Sequence, residues 1–241
     1  MQPGARLTSA MRATPAPTSF SGWTNHVYNP WLSATRLLRS TVATVTEVDG
    51  FAEVSRREQV IEWNRAACGA KGRVRVFAGP WCRALTDDVD RATRSGFWEL
   101  VRATPAIDWL LIFDGGTERS VKLPPDWGEG FSNCWIGVKL AGPGKASGQL
   151  DALRSIPARH RFAVAAPLLE DLGDLTLHGL HWFIAQVSEE SDVDSESVVS
   201  LKLQCMAFGM PFWFEEPLSI GESKSGWGRF CFRESPAPRQ V

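Results

Sequence analysis

The sequence predicts an α/β protein of mostly parallel strands, either an open or partial (β/α) barrel or a doubly wound sheet. Three observations lead there. Short β-branched and aromatic runs alternate about six times with longer segments of three- and four-residue apolar spacing, the pattern of repeated β/α units. Ile107–Phe113 reads IDWLLIF, a nearly continuous apolar strand, which implies burial on both faces as in a parallel sheet. The 241 residues contain no evident domain linker and no exact internal repeat. A chain of this length buries roughly 70–75% of its unfolded surface, enough for a full core without cross-links. Periodicity alone does not separate the two sheet architectures.

The elements follow in order. Ser55 to Cys68 carries helical spacing, and Gly69 ends it. Val74 to Ala78 is a strand, with a loop at Gly79, Pro80, Trp81 and Cys82. Thr86 is the expected cap of a helix running to Ala103, with Asp87 and Asp88 where the dipole favours anions. Val89, Ala92, Thr93, Phe97, Leu100 and Val101 form its expected inner face, and Pro105 stops it. Cys134 to Leu140 is a strand and Ala146 to Ser155 a helix. Arg161 to Ala165 and His181 to Val187 are further strands. The acidic run from Ser188 to Ser197 reads as a solvated loop. Val198, Leu201, Cys205 and Phe208 mark one face of the next helix. Pro211 to Phe214 is the last barrel-type strand, and Arg229 to Phe232 a short edge strand before a Pro-rich tail. The expected organisation is a leader over 1–20, a barrel over 21–217 and an extension over 218–241.

Bulk properties narrow the function. A net charge of −1 and a pI near 6.4 give no electrostatic footprint for nucleic acid or an anionic membrane. Cysteines 68, 82, 134, 205 and 231 are scattered, without a C-x-x-C or Cys/His cluster. Their dispersal fits reduced thiols in a cytoplasmic protein. No apolar run approaches the ~20 residues of a membrane span, and residues 1–20 lack a hydrophobic signal core.

Residues 23–30, WTNHVYNP, resemble the opening of a phage and bacterial three-cysteine family of small radical-SAM-like proteins, W-T-x-x-x-W-N-P-x-x-G-C. Further landmarks extend the resemblance to about Glu215. Trp63-Asn64-Arg65 with Arg75-Val76-Phe77 is similar to W-N-R…R-V-F. Residues 104–111, TPAIDWLL, resemble T-P-x-L-D-W-L-L, and 123–128, LPPDWG, resemble L-P-x-D-W-G. Trp135-Ile136-Gly137, Ile156-Pro157-Ala158 with Arg161-Phe162, and Gln204-Cys205 with residues 209–212, GMPF, have counterparts too. The resemblance implies a partial (β/α) barrel of radical-SAM type.

The same resemblance places Ala34, Thr41 and Thr44 where the family has its cluster cysteines. A methyl and two hydroxyls do not replace thiolates on an iron–sulfur cluster. Other strand ends depart as well. The family's Lys-Arg pair becomes Asp114-Gly115, its glutamate before Pro167 is Ala166, and its double glycine near Gln186 is gone. The last strand ends Phe214-Glu215 where the family has F-K-Q-W, and Arg83 stands in a loop that is often acidic. In β/α barrels chemistry sits at the C-terminal ends of the strands, and the departures fall there while the frame survives.

The expectation is a pseudoenzyme without iron–sulfur cluster or SAM-dependent radical chemistry. It would bind a protein partner, such as an active paralogue, or a small ligand in the old pocket. Pocket candidates are Asn25, Asn29, Trp81, Lys139 and Gln186. An alternative is a non-radical enzyme with Asp114 or Glu215 as acid/base and Arg83 facing them; solvated loop charges are the plainer account of these groups. A phage-type accessory role in nucleic-acid modification draws no support from the charge. His26, His160, His178 and His181 read as structural, since the spacing of His178 and His181 at a strand start does not converge on a metal. Trp23, Trp63, Trp109, Trp127, Trp135 and Trp182 read as core; Trp31, Trp81 and Trp213 are less easily assigned.

Overall fold

Strand Ile107–Phe113 (β3) lies at the heart of the protein, buried along its whole length. The computed structural model describes residues 23–28, 56–79, 82–86, 89–113, 121–187, 191–215 and 232–237, with Arg83 and Glu215 described in their backbone alone. The predicted leader, the cluster positions Ala34, Thr41 and Thr44, and Asn29, Trp81 and Asp114 lie outside the described residues.

Among the described residues seven strands form one sheet: His26–Tyr28 (β1), Val74–Ala78 (β2), β3, Cys134–Lys139 (β4), Arg161–Ala165 (β5), Trp182–Gln186 (β6) and Phe212–Glu215 (β7). Their spatial order equals their chain order, and every neighbouring pair is parallel. That order decides between the two architectures. A doubly wound sheet reverses its strand order at a switch point. A sequential order instead curls in one direction, and the sheet is a half barrel.

Helices Arg57–Gly69 (α1), Arg91–Ala103 (α2), Pro143–Ser155 (α3) and Ser195–Ala207 (α4) cover the convex face. Alternation along each strand separates two buried layers. Val76, Ile107, Trp109, Leu111, Ile136, Val138, Ala163, Phe183 and Phe212 meet helix residues such as Val60, Phe97, Leu100, Leu150, Leu153, Val198 and Leu201. The concave face carries Phe77, Leu110, Ile112, Trp135, Phe162, Val164, Trp182, Ile184 and Trp213, with Trp23 packed onto them. Trp213 thereby joins the core, and Trp63 is half-buried, stacked on His26 at 4.0 Å.

The concave layer is tightly filled. A Cβ on Gly137 would fall 2.4 Å from the ring of Phe162, so glycine is what lets that ring cross β4. Beneath it, Trp182 lies 6.3 Å from Trp135 and 6.4 Å from Trp23, and Trp23 lies 5.5 Å from Phe77. These edge-on and tilted geometries suit aromatic quadrupoles.

Several element ends differ from the sequence expectation. Helix α2 begins at Arg91, and its cap is Asp90, whose carboxylate accepts from the Thr93 N–H at 2.9 Å and its hydroxyl at 2.6 Å. Residues 83–85 before it form a 3₁₀ turn, anchored where the Cys82 N–H donates to the Ile112 carbonyl, so Thr86 stands too early to cap. Ala92 is exposed, and Trp98 takes a place on the buried face. Phe208 is 51% exposed, because it is the C-cap of α4 rather than a member of its inner face. The acidic run ends as helix: Asp194 caps α4 through the Ser197 N–H.

A buried polar set holds the N-terminal end of the sheet. Arg73 pairs with Asp108 at 2.9 Å, both side chains 10% exposed. The Thr104 hydroxyl donates to the Leu100 carbonyl and accepts from the Trp109 indole N–H at 3.0 Å. Asn133 donates to the carbonyls of Val101 and Thr104, closing the end of α2.

Candidate functional site

The C-terminal ends of the strands form the mouth of the half barrel. Lys139 is the last residue of β4 and stands two residues beyond Gly137, on the concave face. Gln186 ends β6 two residues beyond Ile184 and faces the same way. β5 lies between them, with Val164 paired to Lys139 and to Ile184. Two strand spacings across and two residues along therefore separate the two backbones, about 12 Å. Both side chains are half-buried. Under them Ile112, Val164, Ile184 and Trp213 make an apolar floor, each no more than 6% exposed.

Glu215 ends β7, register partner of Gln186, so its backbone stands at the same rim. The backbone of Arg83 lies in the 3₁₀ turn next to the end of β3. Asn25 stands at the opposite end. Its Oδ1 accepts from the Arg75 N–H at 2.8 Å and its own N–H donates to the Arg75 carbonyl, at the start of β2. The mouth thus gathers Lys139, Gln186 and the Glu215 backbone, and does not gather Asn25.

Three of the histidines have structural partners. His181 accepts at Nδ1 from the Arg161 N–H, and burial followed by the Arg161 charge lowers its pKa. His160 stacks on Trp135 at 4.6 Å, and burial lowers the pKa of His26. Burial pushes the Cys82 and Cys205 thiols up to about 12, which removes the thiolate a nucleophile needs. Among the described residues no group of three or more His, Cys, Asp or Glu is placed to hold a metal ion. A shallow groove of about 330 Å³ lies on the outer side of α4, lined by Ser195, Glu196, Val199, Ser200 and Leu203.

Sequence reasoning missed a second polar centre at the floor of the barrel. Arg75 lies over the Trp182 ring at 5.1 Å, and Asp108 faces it from β3. The signal was visible: Asp108 is the one charge inside IDWLLIF, and a charge in a buried strand demands a partner.

The fold and its rim define an α/β protein of the parallel half-barrel class, with Lys139 and Gln186 at the strand ends. Within that class, the chain belongs to DUF5131, a family described as protein of unknown function, whose sequence profile matches residues 19–225. No curated protein and no solved structure matches the chain. No helix among the described residues is long and apolar enough to cross a membrane.

Proposed function

We propose that this protein is a non-catalytic relative of radical-SAM partial barrels that binds a protein partner or a small ligand at the mouth of the half barrel. The observation that supports binding at the mouth is the filled concave face. Phe162, Trp182 and Ile184 fill the interior beneath the rim, as side-chain layers fill β/α barrels in general. Among the described side chains, the uppermost layer offers the Lys139 ammonium and the Gln186 amide over an apolar floor. Such a surface suits recognition, with apolar contact for affinity and two polar groups for orientation.

The donor set does not fit a cluster. Ala34, Thr41 and Thr44 offer no thiolate, so no radical step is derived through one. The phage-type origin and the radical-SAM relationship rest on the sequence landmarks from Trp23 to Glu215. A second reading, a non-radical enzyme using Asp114 or Glu215, draws on the placement of Glu215 beside Gln186 at the rim.

Anaerobic purification followed by iron and sulfide analysis tests the first reading. The expected result is metal-free protein that stays colourless after reconstitution with iron and sulfide. A stoichiometric cluster with its visible absorption band overturns it.

A further inference from the structure

We propose that the outer edge of β7, with Lys202, Trp182 and Arg75, is a strand-addition site for an extended peptide of aromatic-x-acidic chemistry. In this chain the site is filled by residues 232–237, and a partner protein's segment of the same chemistry competes for it. The proposal concerns the edge and floor of the barrel and does not rest on the mouth.

The receptor half is built into the barrel. β7 is the last described strand of the sheet, and its edge pairs with the tail in antiparallel fashion. The Phe214 N–H donates to the Phe232 carbonyl at 2.7 Å, the Glu234 N–H donates to the Phe212 carbonyl at 3.2 Å, and Trp213 bridges Arg233. Main-chain pairing of this kind supplies affinity without reading sequence. Two more donors reach the ligand's backbone from other strands. The Trp182 indole N–H donates to the Glu234 carbonyl at 3.0 Å, and the Arg75 guanidinium to the Pro236 carbonyl at 3.2 Å.

Side chains are read at two positions. The ring of Phe232 packs 5.8 Å from Phe212, with the Lys202 ammonium 5.4 Å from its centre. The Glu234 carboxylate pairs with Lys202 and accepts from the Phe212 N–H at 3.2 Å. Lys202 is only 9% exposed, and an ammonium that deep requires an anionic partner. Arg233 between them is exposed, so the middle position is open. The pattern read is aromatic, any residue, carboxylate.

Residues 216–231 separate the two halves, far more than the about two to five residues of a hairpin loop. The tail is therefore joined to β7 through sixteen intervening residues, and its covalent attachment makes it a competitor for any added segment. Tethering raises its effective concentration, so a partner segment binds only by displacing it.

The test uses the full-length chain carrying Phe232→Ala and Glu234→Ala, and a fluorescently labelled peptide of sequence FRESPA. Saturable binding is expected, at least about tenfold tighter than to the unaltered chain, whose tether competes. Adding Lys202→Met should weaken it by about tenfold or more, because the peptide carboxylate loses its partner. A variant that unfolds cooperatively yet takes no peptide overturns the proposal, as does equal binding by both chains. Should the variant not fold, hydrogen exchange on the unaltered chain decides. The amides of Phe214 and Glu234 should exchange about 100-fold faster than those of β3, through local release of the tail; exchange as slow as β3 overturns the proposal. A dimer joined by exchanged tails, seen as a concentration-dependent sedimentation shift, assigns the groove to a second copy and overturns the partner reading.

Discussion

Replacing Gly137 by alanine puts one methyl into the most crowded point of the concave layer. The added Cβ would lie 2.4, 2.5 and 2.7 Å from three ring atoms of Phe162. Ordinary carbon–carbon contact is about 3.5–4.0 Å, so ring or strand must move by about an ångström. The ring has little freedom, being fully buried with Trp182 6.3 Å away. Overpacking of this kind costs about 1–3 kcal/mol. For a chain of this size that is a fall of roughly 2–12 °C in thermal midpoint. Thermal and urea unfolding followed by circular dichroism measure it. Phe162→Leu alone should also destabilise, by leaving space, but Gly137→Ala with Phe162→Leu should be less destabilised than the two effects added. The coupling should reach at least about 0.5 kcal/mol. A Gly137→Ala protein as stable as the parent, or strict additivity in the double variant, would refute the account of a filled interior.

Asp108→Asn strands the buried Arg73 guanidinium and should cost about 3 kcal/mol in urea unfolding, with the slope unchanged; under about 1 kcal/mol would mean the pair is not buried in solution. Burial lowers the pKa of half-buried His26, so its folded value lies below the unfolded one. Its contribution to stability is complete above about pH 6.5 and is lost as pH falls through the lower folded value. His26→Gln should flatten the acid limb of stability against pH, and an unchanged limb would contradict this. Cys82, Cys134 and Cys205 are buried and Cys68 is exposed. A thiol reagent at pH 8 should label Cys68 at once and those three only on unfolding, as read by mass spectrometry of peptides.

The parallel sheet was legible because burial on both faces leaves a mark in composition, and IDWLLIF bears it. The choice between half barrel and doubly wound sheet was not legible in periodicity, which reports what is buried and not which strand lies beside which. The frame motifs pointed to the barrel. The cap of α2 misled because Thr86 and Asp90 both carry capping chemistry, and a contact from Cys82 to Ile112, far off in sequence, decides between them. Lys139 and Gln186 stand at the mouth because each is the last inward residue of its strand. Asn25 stands at the opposite end because it directly precedes β1. Of the edge strand expected at 229–232 only Phe232 is described, and its pairing with Phe214 is a contact across the chain that local pattern does not report.

Arg75 touches both ends of the described chain. Its amide N–H is held by Asn25, and its guanidinium by the carbonyl of Pro236. The two ends therefore lie within one arginine's length of each other, beneath the barrel and on the side away from the rim. A covalent link from residue 236 to residue 25 would span little distance. A tether to a surface at either end would leave the rim facing solution, the orientation a search for its binding partner requires.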